Sequence, residues 1–110
     1  MAIARKIDPA AMARAFADEV SAIPEVKRLW YHADENPYIP DTISLSFYVL
    51  QDPDTDASFA AIADALTYVQ ERHFEEAVMS AEIIQPWQIE SRGLDYLLVE
   101  GSVEIPLRRV

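Results

Sequence analysis

The chain has 110 residues, no cysteine, 51% hydrophobic residues and a net charge of −10. That is the length of one domain with enough apolar side chains for its own core, and the lack of cysteine excludes a disulfide scaffold, a thiolate metal site and a cysteine nucleophile. No Lys or Arg occurs between Leu29 and Glu71, while eight acids do (Asp34, Glu35, Asp41, Asp52, Asp54, Asp56, Asp64 and Glu71), a surface that repels phosphate backbones and argues against a nucleic-acid partner.

The basic residues gather toward the two ends, as Arg5, Lys6, Arg108 and Arg109. The opening Met1-Ala2-Ile3-Ala4-Arg5-Lys6 has no apolar core behind its basic pair, so no signal peptide is expected. No run approaches the ~20 apolar residues of a membrane span. The expectation is a single cytoplasmic domain over residues 1–110, with no membrane partner.

The first helix is signalled by Asp8 as a cap and Pro9 in the first helical position, with Met12, Phe16, Val20 and Ile23 at helical spacing and Pro24 marking the end. Val26 to Tyr31 reads as a strand, and Ala33 to Asp41, with Asn36-Pro37 and Ile39-Pro40, as a loop. Thr42 to Leu50 is the clearest strand. Ile43, Leu45, Phe47 and Val49 point to one face, and Thr42, Ser44, Ser46 and Tyr48 to the other.

Asp52-Pro53-Asp54-Thr55-Asp56 is a turn offering caps to a second helix, on which Phe59, Ile62, Leu66, Val69 and His73 share a stripe and which runs to about Glu76. Ala81 to Ile84 is expected to be the third strand. Leu94 to Glu100 fits a strand or a short helix ended by Gly101. Val103, Ile105 and Leu107 alternate as a closing strand, which Pro106 restricts to a sheet edge.

Taken in order, these segments resemble the minimal nucleotidyltransferases of the DNA polymerase β-like superfamily. Ile23-Pro24-Glu25-Val26-Lys27-Arg28-Leu29-Trp30-Tyr31 looks like the family's first strand and its lead-in. His32 and Ala33 occupy the places of its Gly-Ser, and ten residues later Ser44-Leu45-Ser46 stands in register with its Asp-x-Asp. Glu82, in Ala81-Glu82-Ile83-Ile84, matches the strand of the third acid, and Leu97-Leu98-Val99-Glu100-Gly101-Ser102-Val103 matches the closing helix and turn.

The fold this implies is α+β, nucleotidyltransferase-like, in the order α-β-β-α-β-α-β, with a small mixed sheet covered by helices. The alternative is an α-β-β-α-β-β ferredoxin-like two-layer sandwich. A helix at Leu94 to Glu100 favours the first and a strand the second.

The departures from the family pattern bear on chemistry. Nucleotidyl transfer needs Mg²⁺, a hard cation held by carboxylates and phosphate oxygens. Ser44 and Ser46 keep the i, i+2 geometry of the aspartates without their charge, and Glu82 alone cannot replace the pair. His32 puts a side chain where the family's glycine lets backbone approach the triphosphate, and Ala33 lacks the serine hydroxyl. The implied protein has no catalytic residues, no metal and no cofactor: a pseudoenzyme whose degenerate site positions are His32, Ala33, Ser44, Ser46 and Glu82. If Ser44 and Ser46 are instead ordinary outward strand residues, the chain still lacks the carboxylate pair that catalysis needs.

Other constellations carry less. Asp52, Asp54 and Asp56 resemble the opening of an EF-hand loop, but Ala57 and Ala63 stand where that loop needs glycine and glutamate, so capping is the better reading. His32 and His73 have no local ligand spacing, and no serine sits in a nucleophile elbow. Trp30, Tyr31, Tyr48, Trp87 and Tyr96 lie on or near predicted strands, and several of them on the Ser44/Ser46 face would make an interface.

Active minimal nucleotidyltransferases commonly serve as antitoxins. The resemblance therefore implies an antitoxin-like protein that binds a basic, toxin-like protein partner. Two alternatives remain at this point: a divergent metal enzyme using Glu82, Asp41 and the Asp34-Glu35 pair, and a homo-oligomeric structural protein packing through an aromatic face.

Overall fold

The structure, a computed structural model, describes residues 7–109. Arg5 and Lys6 of the N-terminal basic group lie outside the described residues. In chain order the elements are α1 (Pro9–Val20), β1 (Val26–Glu35), β2 (Ile43–Gln51), α2 (Asp56–Arg72), β3 (Ala77–Ile84), α3 (Pro86–Arg92), α4 (Leu94–Leu97) and β4 (Val103–Glu104). The fold is α+β, with one four-stranded mixed sheet in the order β3-β2-β1-β4. β1 runs antiparallel to both β2 and β4, while β2 and β3 are parallel. A parallel pair needs a long crossover, and α2 supplies it.

The strict alternation of β2 sorts the two faces of the sheet. Leu45, Phe47 and Val49 enter the main core with Leu29 and Val26 of β1, Ala77 and Met79 of β3, and the inner sides of α1 and α2. Phe16 of α1 meets Phe47 with ring centroids 4.2 Å apart and planes tilted by 33°, close to the favourable range for aromatic pairs. On the opposite face Trp30, Tyr48, Leu50 and Ile84 form a second, smaller cluster, roofed by Ile89 of α3, by Leu94 and Leu97 of α4, and by Leu98.

Local chemistry sets the helix starts. The Asp8 carboxylate accepts from the N–H of Ala10 and Ala11, at 3.1 and 3.3 Å, with Pro9 in the position where a missing N–H costs nothing. Thr55 Oγ1 accepts from Ser58 N–H at 3.1 Å at the head of α2, so of the candidate caps in the 52–56 turn the threonine serves. Gln51 is fully buried and donates through Nε2 to Thr55 C=O and Ser58 Oγ, tying the end of β2 to that helix start.

After β4 the chain runs back along α1 as a strap. Ile105 N–H bonds Leu29 C=O at 2.9 Å. Arg14 donates to Pro106 C=O at 2.6 Å, and Arg108 N–H to Ser21 Oγ at 3.0 Å. The Arg109 guanidinium donates to the carbonyls of Ser21, Ile23 and Val26, at 3.2 and 2.7 Å for the first two. A cation on carbonyls at a helix C-terminus suits both hydrogen bonding and the helix dipole.

Several boundaries differ from the sequence expectation. β1 continues through Ala33 to Glu35, where the sequence predicts loop, because antiparallel pairing with Ile43 to Leu45 holds it. α2 stops at Arg72 rather than near Glu76, with His73 as its C-cap, and β3 starts four residues earlier than expected. Phe59 is not part of the buried stripe of α2; Ser58, Ile62, Ala65 and Val69 are. Leu94 to Leu97 is helical, and α3 is a helix in a stretch with no expected element. The closing strand pairs only at Val103 and Glu104, after which Pro106 has no N–H to give the ladder.

Candidate functional site

The register of the sheet places the predicted site positions. On the face away from α1 and α2, His32 of β1 stands opposite Ser46 of β2, which stands beside Ser80 of β3. One row along, Asp34, Ser44 and Val78 are aligned; one row the other way come Trp30, Tyr48 and Glu82. Directly paired residues on one sheet face have Cβ atoms about 4.5–5.5 Å apart, so this face brings together His32, Ser44, Ser46 and Glu82. It does not include Ala33, which packs against the main core on the other side.

The half of the face that carries Trp30, Tyr48, Leu50 and Ile84 is roofed by α3 and α4. Between β2 and β3 a shallow cleft of about 220 Å³ is left, lined by Ser46, Phe47, Tyr48, Ser80, Ala81 and Glu82. Pockets that enclose a drug-sized ligand run from about 300 to 1,000 Å³, so the cleft is small for a nucleoside triphosphate.

His32 is half-buried beneath the turn after α4. Gly101 takes a φ of +90°, and a Cβ there would lie 3.6 Å from His32 Nδ1. The glycine thus lets the chain reverse while lying against the imidazole. Ser44 Oγ accepts from Asn36 Nδ2 at 3.3 Å, which ties the polar row to the β1–β2 connection.

The acids suggested for a divergent metal site are not gathered. Among the described residues no group of three His, Asp or Glu is placed to hold a metal ion. Asp54 of the EF-hand-like run is engaged elsewhere, accepting from Gln85 Nε2 at 2.6 Å, and so joins the β2–α2 turn to the start of α3. His73 faces Glu76, Nδ1 to Oε1 3.5 Å, at the C-terminus of α2.

The five aromatics do not gather on one open face. Trp30 and Tyr48 do share the Ser44/Ser46 face, but they are buried under α3 and α4, while Tyr31 packs on the main-core side. Trp87 and Tyr96 are exposed on those short helices, at 58% and 76%.

Beside Trp30, Arg28 donates to both oxygens of Glu104, Nε–Oε2 2.8 Å and Nη2–Oε1 2.7 Å, with its guanidinium 4.7 Å from the Trp30 ring centroid. The hydrogen bonds from Arg28 hold the Glu104 carboxyl below the usual carboxylate range and push the guanidinium pKa up.

The open outer edge of β3 is not foreseen from the sequence, because an α2 running to Glu76 and a third strand starting at Ala81 leave the first half of β3 outside any strand. Burial alternates along Ala77-Val78-Met79-Ser80 in the structure, but three apolar residues in a row give the sequence no period-two signal there.

Comparison of the chain with family models, with curated proteins and with solved structures gives no match in any of the three. Among the described residues no helix is long and apolar enough to cross a membrane.

Proposed function

We propose that this protein is a catalytically inactive, nucleotidyltransferase-like domain that acts in the cytoplasm by binding a basic protein partner, in the manner of an antitoxin that neutralises by contact. The observation that carries the reading is the pair Ser44 and Ser46. They project from one face of β2, aligned with His32 and next to the strand of Glu82, in the geometry that nucleotidyl transfer would fill with carboxylates. Hydroxyls are neutral, weak ligands for Mg²⁺, and one remaining glutamate does not make a two-acid clamp.

The order α-β-β-α-β-α-α-β, with a helix at Leu94–Leu97, supports the family likeness. The net charge of −10 favours a cationic partner by long-range steering.

The test is calorimetry of the pure protein with ATP, GTP, CTP and UTP in the presence of Mg²⁺. No heat is expected at millimolar nucleotide. Metal-dependent binding that disappears in Glu82→Gln would overturn the reading and make the protein an enzyme with an unconventional site.

A further inference from the structure

β3 ends the sheet, and most of its outer edge is open. Ile43 N–H bonds Glu76 C=O at 3.0 Å. In the parallel register this aims the backbone groups of Val78, Ser80 and Glu82 at β2 and turns those of Ala77, Met79, Ala81 and Ile83 outward. Gln70 of α2 covers the first of these: its Nε2 donates to Ala77 C=O at 2.7 Å, and its Oε1 accepts from Met79 N–H at 2.6 Å. One carboxamide thus makes the two bonds that a neighbouring strand would make. Beyond it, the Met79 carbonyl and both backbone groups of Ala81 and Ile83 meet no further strand among the described residues.

Beyond Gln70 and the charge of Glu82, the edge has none of the other usual protections. β3 contains no proline and no lysine, and its register with β2 is unbroken by a bulge. The other edge of the sheet is blunt by contrast, since β4 is 2 residues long and Pro106 follows soon after.

An apolar strip runs beside the open edge. Helical geometry puts Phe59, Leu66 and Gln70 on one line of α2, and the bonds of Gln70 fix that line against the outer side of β3. Phe59 is 55% exposed, and Leu66, Ala81 and Ile83 are only half-buried. An extended segment laid along the edge would pair with Ala81 and Ile83 and take these side chains out of water.

Charge selects the occupant. Arg14, Lys27, Arg28, Arg108 and Arg109 lie on α1, β1 and the strap, toward the β4 side. β3 itself carries Glu82, and the end of α2 with its following turn carries Glu71, Glu75 and Glu76. Arg72 there is turned onto the Tyr68 hydroxyl at 2.9 Å. A second copy of the chain is a poor occupant: a two-fold antiparallel pairing through Ala81 and Ile83 would set Glu82 against its own counterpart, between chains that each carry −10.

We propose that the outer edge of β3, from Met79 to Ile83, accepts an added strand from a partner protein, an extended segment in which apolar side chains alternate with Lys or Arg. Its backbone pairs with Ala81 and Ile83, its apolar side chains lie on Phe59 and Leu66, and its cations lie beside Glu82. Backbone pairing gives affinity and the alternating side chains give specificity. The inference rests on the partner-binding reading above and names the surface that does the binding.

The test is a titration of the isotope-labelled full chain with a synthetic peptide of alternating valine and lysine, matched to the 8 residues of β3, with hydrogen exchange read amide by amide. Exchange at Ala81 and Ile83 is expected to slow, with shifts confined to β3 and the Phe59–Leu66–Gln70 line. The same peptide N-methylated on its edge-facing amides is expected to bind at least about tenfold more weakly, as are Ala81→Pro, which removes an outward N–H, and Glu82→Lys, which keeps the test open if the first variant fails to fold. No protection at millimolar peptide would overturn the proposal. So would binding indifferent to N-methylation, which reports diffuse charge attraction, or a concentration-dependent dimer that protects Ala81 and Ile83 without peptide. Nucleotide binding in the calorimetric experiment would sink the inactive-enzyme reading while leaving these outcomes untouched, so the two failures are distinguishable.

Discussion

Arg28 holds Glu104 with two parallel hydrogen bonds, at 2.8 and 2.7 Å, and this pair joins the 2-residue strand β4 to β1. Both side chains are 44% exposed, so the geometry is good but the surroundings are wet, and such surface pairs contribute about 0.2–1 kcal/mol.

Glu104→Gln is expected to cost about 0.5 kcal/mol at neutral pH, read by urea denaturation. The sign of its pH dependence follows from the depressed carboxyl pKa. The contribution is full above the pKa of the unfolded glutamate, about 4.3, and is lost as pH falls through the lower folded value. The difference between wild type and variant should therefore vanish in strong acid. A constant difference down to low pH would mean that the carboxylate is not the cause.

Gln70→Ala removes both bonds that cover Ala77 C=O and Met79 N–H. A loss of about 1–3 kcal/mol is expected, with faster amide exchange at Met79. If Met79 exchange is unchanged, the carboxamide does not guard the edge in solution.

Phe47→Ala opens a hole where the ring meets Phe16, 4.2 Å away between centroids, in the middle of the sheet. Thermal or urea unfolding should show a loss of about 3–5 kcal/mol. Phe59→Ala, on the exposed side of α2, should change stability by less than about 0.5 kcal/mol. Equal costs for the two would contradict the assignment of inner and outer faces.

Ser44→Asp combined with Ser46→Asp places a carboxylate pair beside Asp34 and near Glu82. The double variant should melt below wild type without metal, from like-charge repulsion, and regain stability with Mg²⁺ or Mn²⁺, while wild type shows no metal-dependent shift. A double variant indifferent to metal would weaken the family likeness, since the positions would then lack the geometry it requires.

The parts of the fold legible in the sequence are those where local signals and tertiary demands agree. Asp8-Pro9 announces α1, and the alternation of β2 sorts both faces of the sheet correctly. The differences fall where tertiary pairing overrides local preference. Ala33, Asp34 and Glu35 are poor strand formers, yet they extend β1 because β2 lies alongside. The start of β3 is hidden because alanine, methionine and glutamate are good helix formers, so local preference does not separate Glu75 to Ser80 from the end of α2. Pro86 at the start of α3 and Gly93 at its end are boundary signals, but the seven residues between them are too few to show a helical period. Of the site positions, the shared face of Ser44, Ser46 and Glu82 is legible from alternation, whereas the burial of Trp30 and Tyr48 is not, because α3 and α4 do the covering.

The strap after β4 has a kinetic consequence. Its hydrogen bonds span 92 residues from Arg14 to Pro106, 87 from Ser21 to Arg108 and 86 from Ile23 to Arg109. Closing loops of that length loses chain entropy before any contact compensates for it, whereas the β1–β2 hairpin forms between near neighbours. The expected order of assembly is therefore hairpin first and strap last. Until the strap docks, the carbonyls of Ser21, Ile23 and Val26 lack the Arg109 guanidinium, and weakening Arg109 should speed unfolding far more than it slows folding.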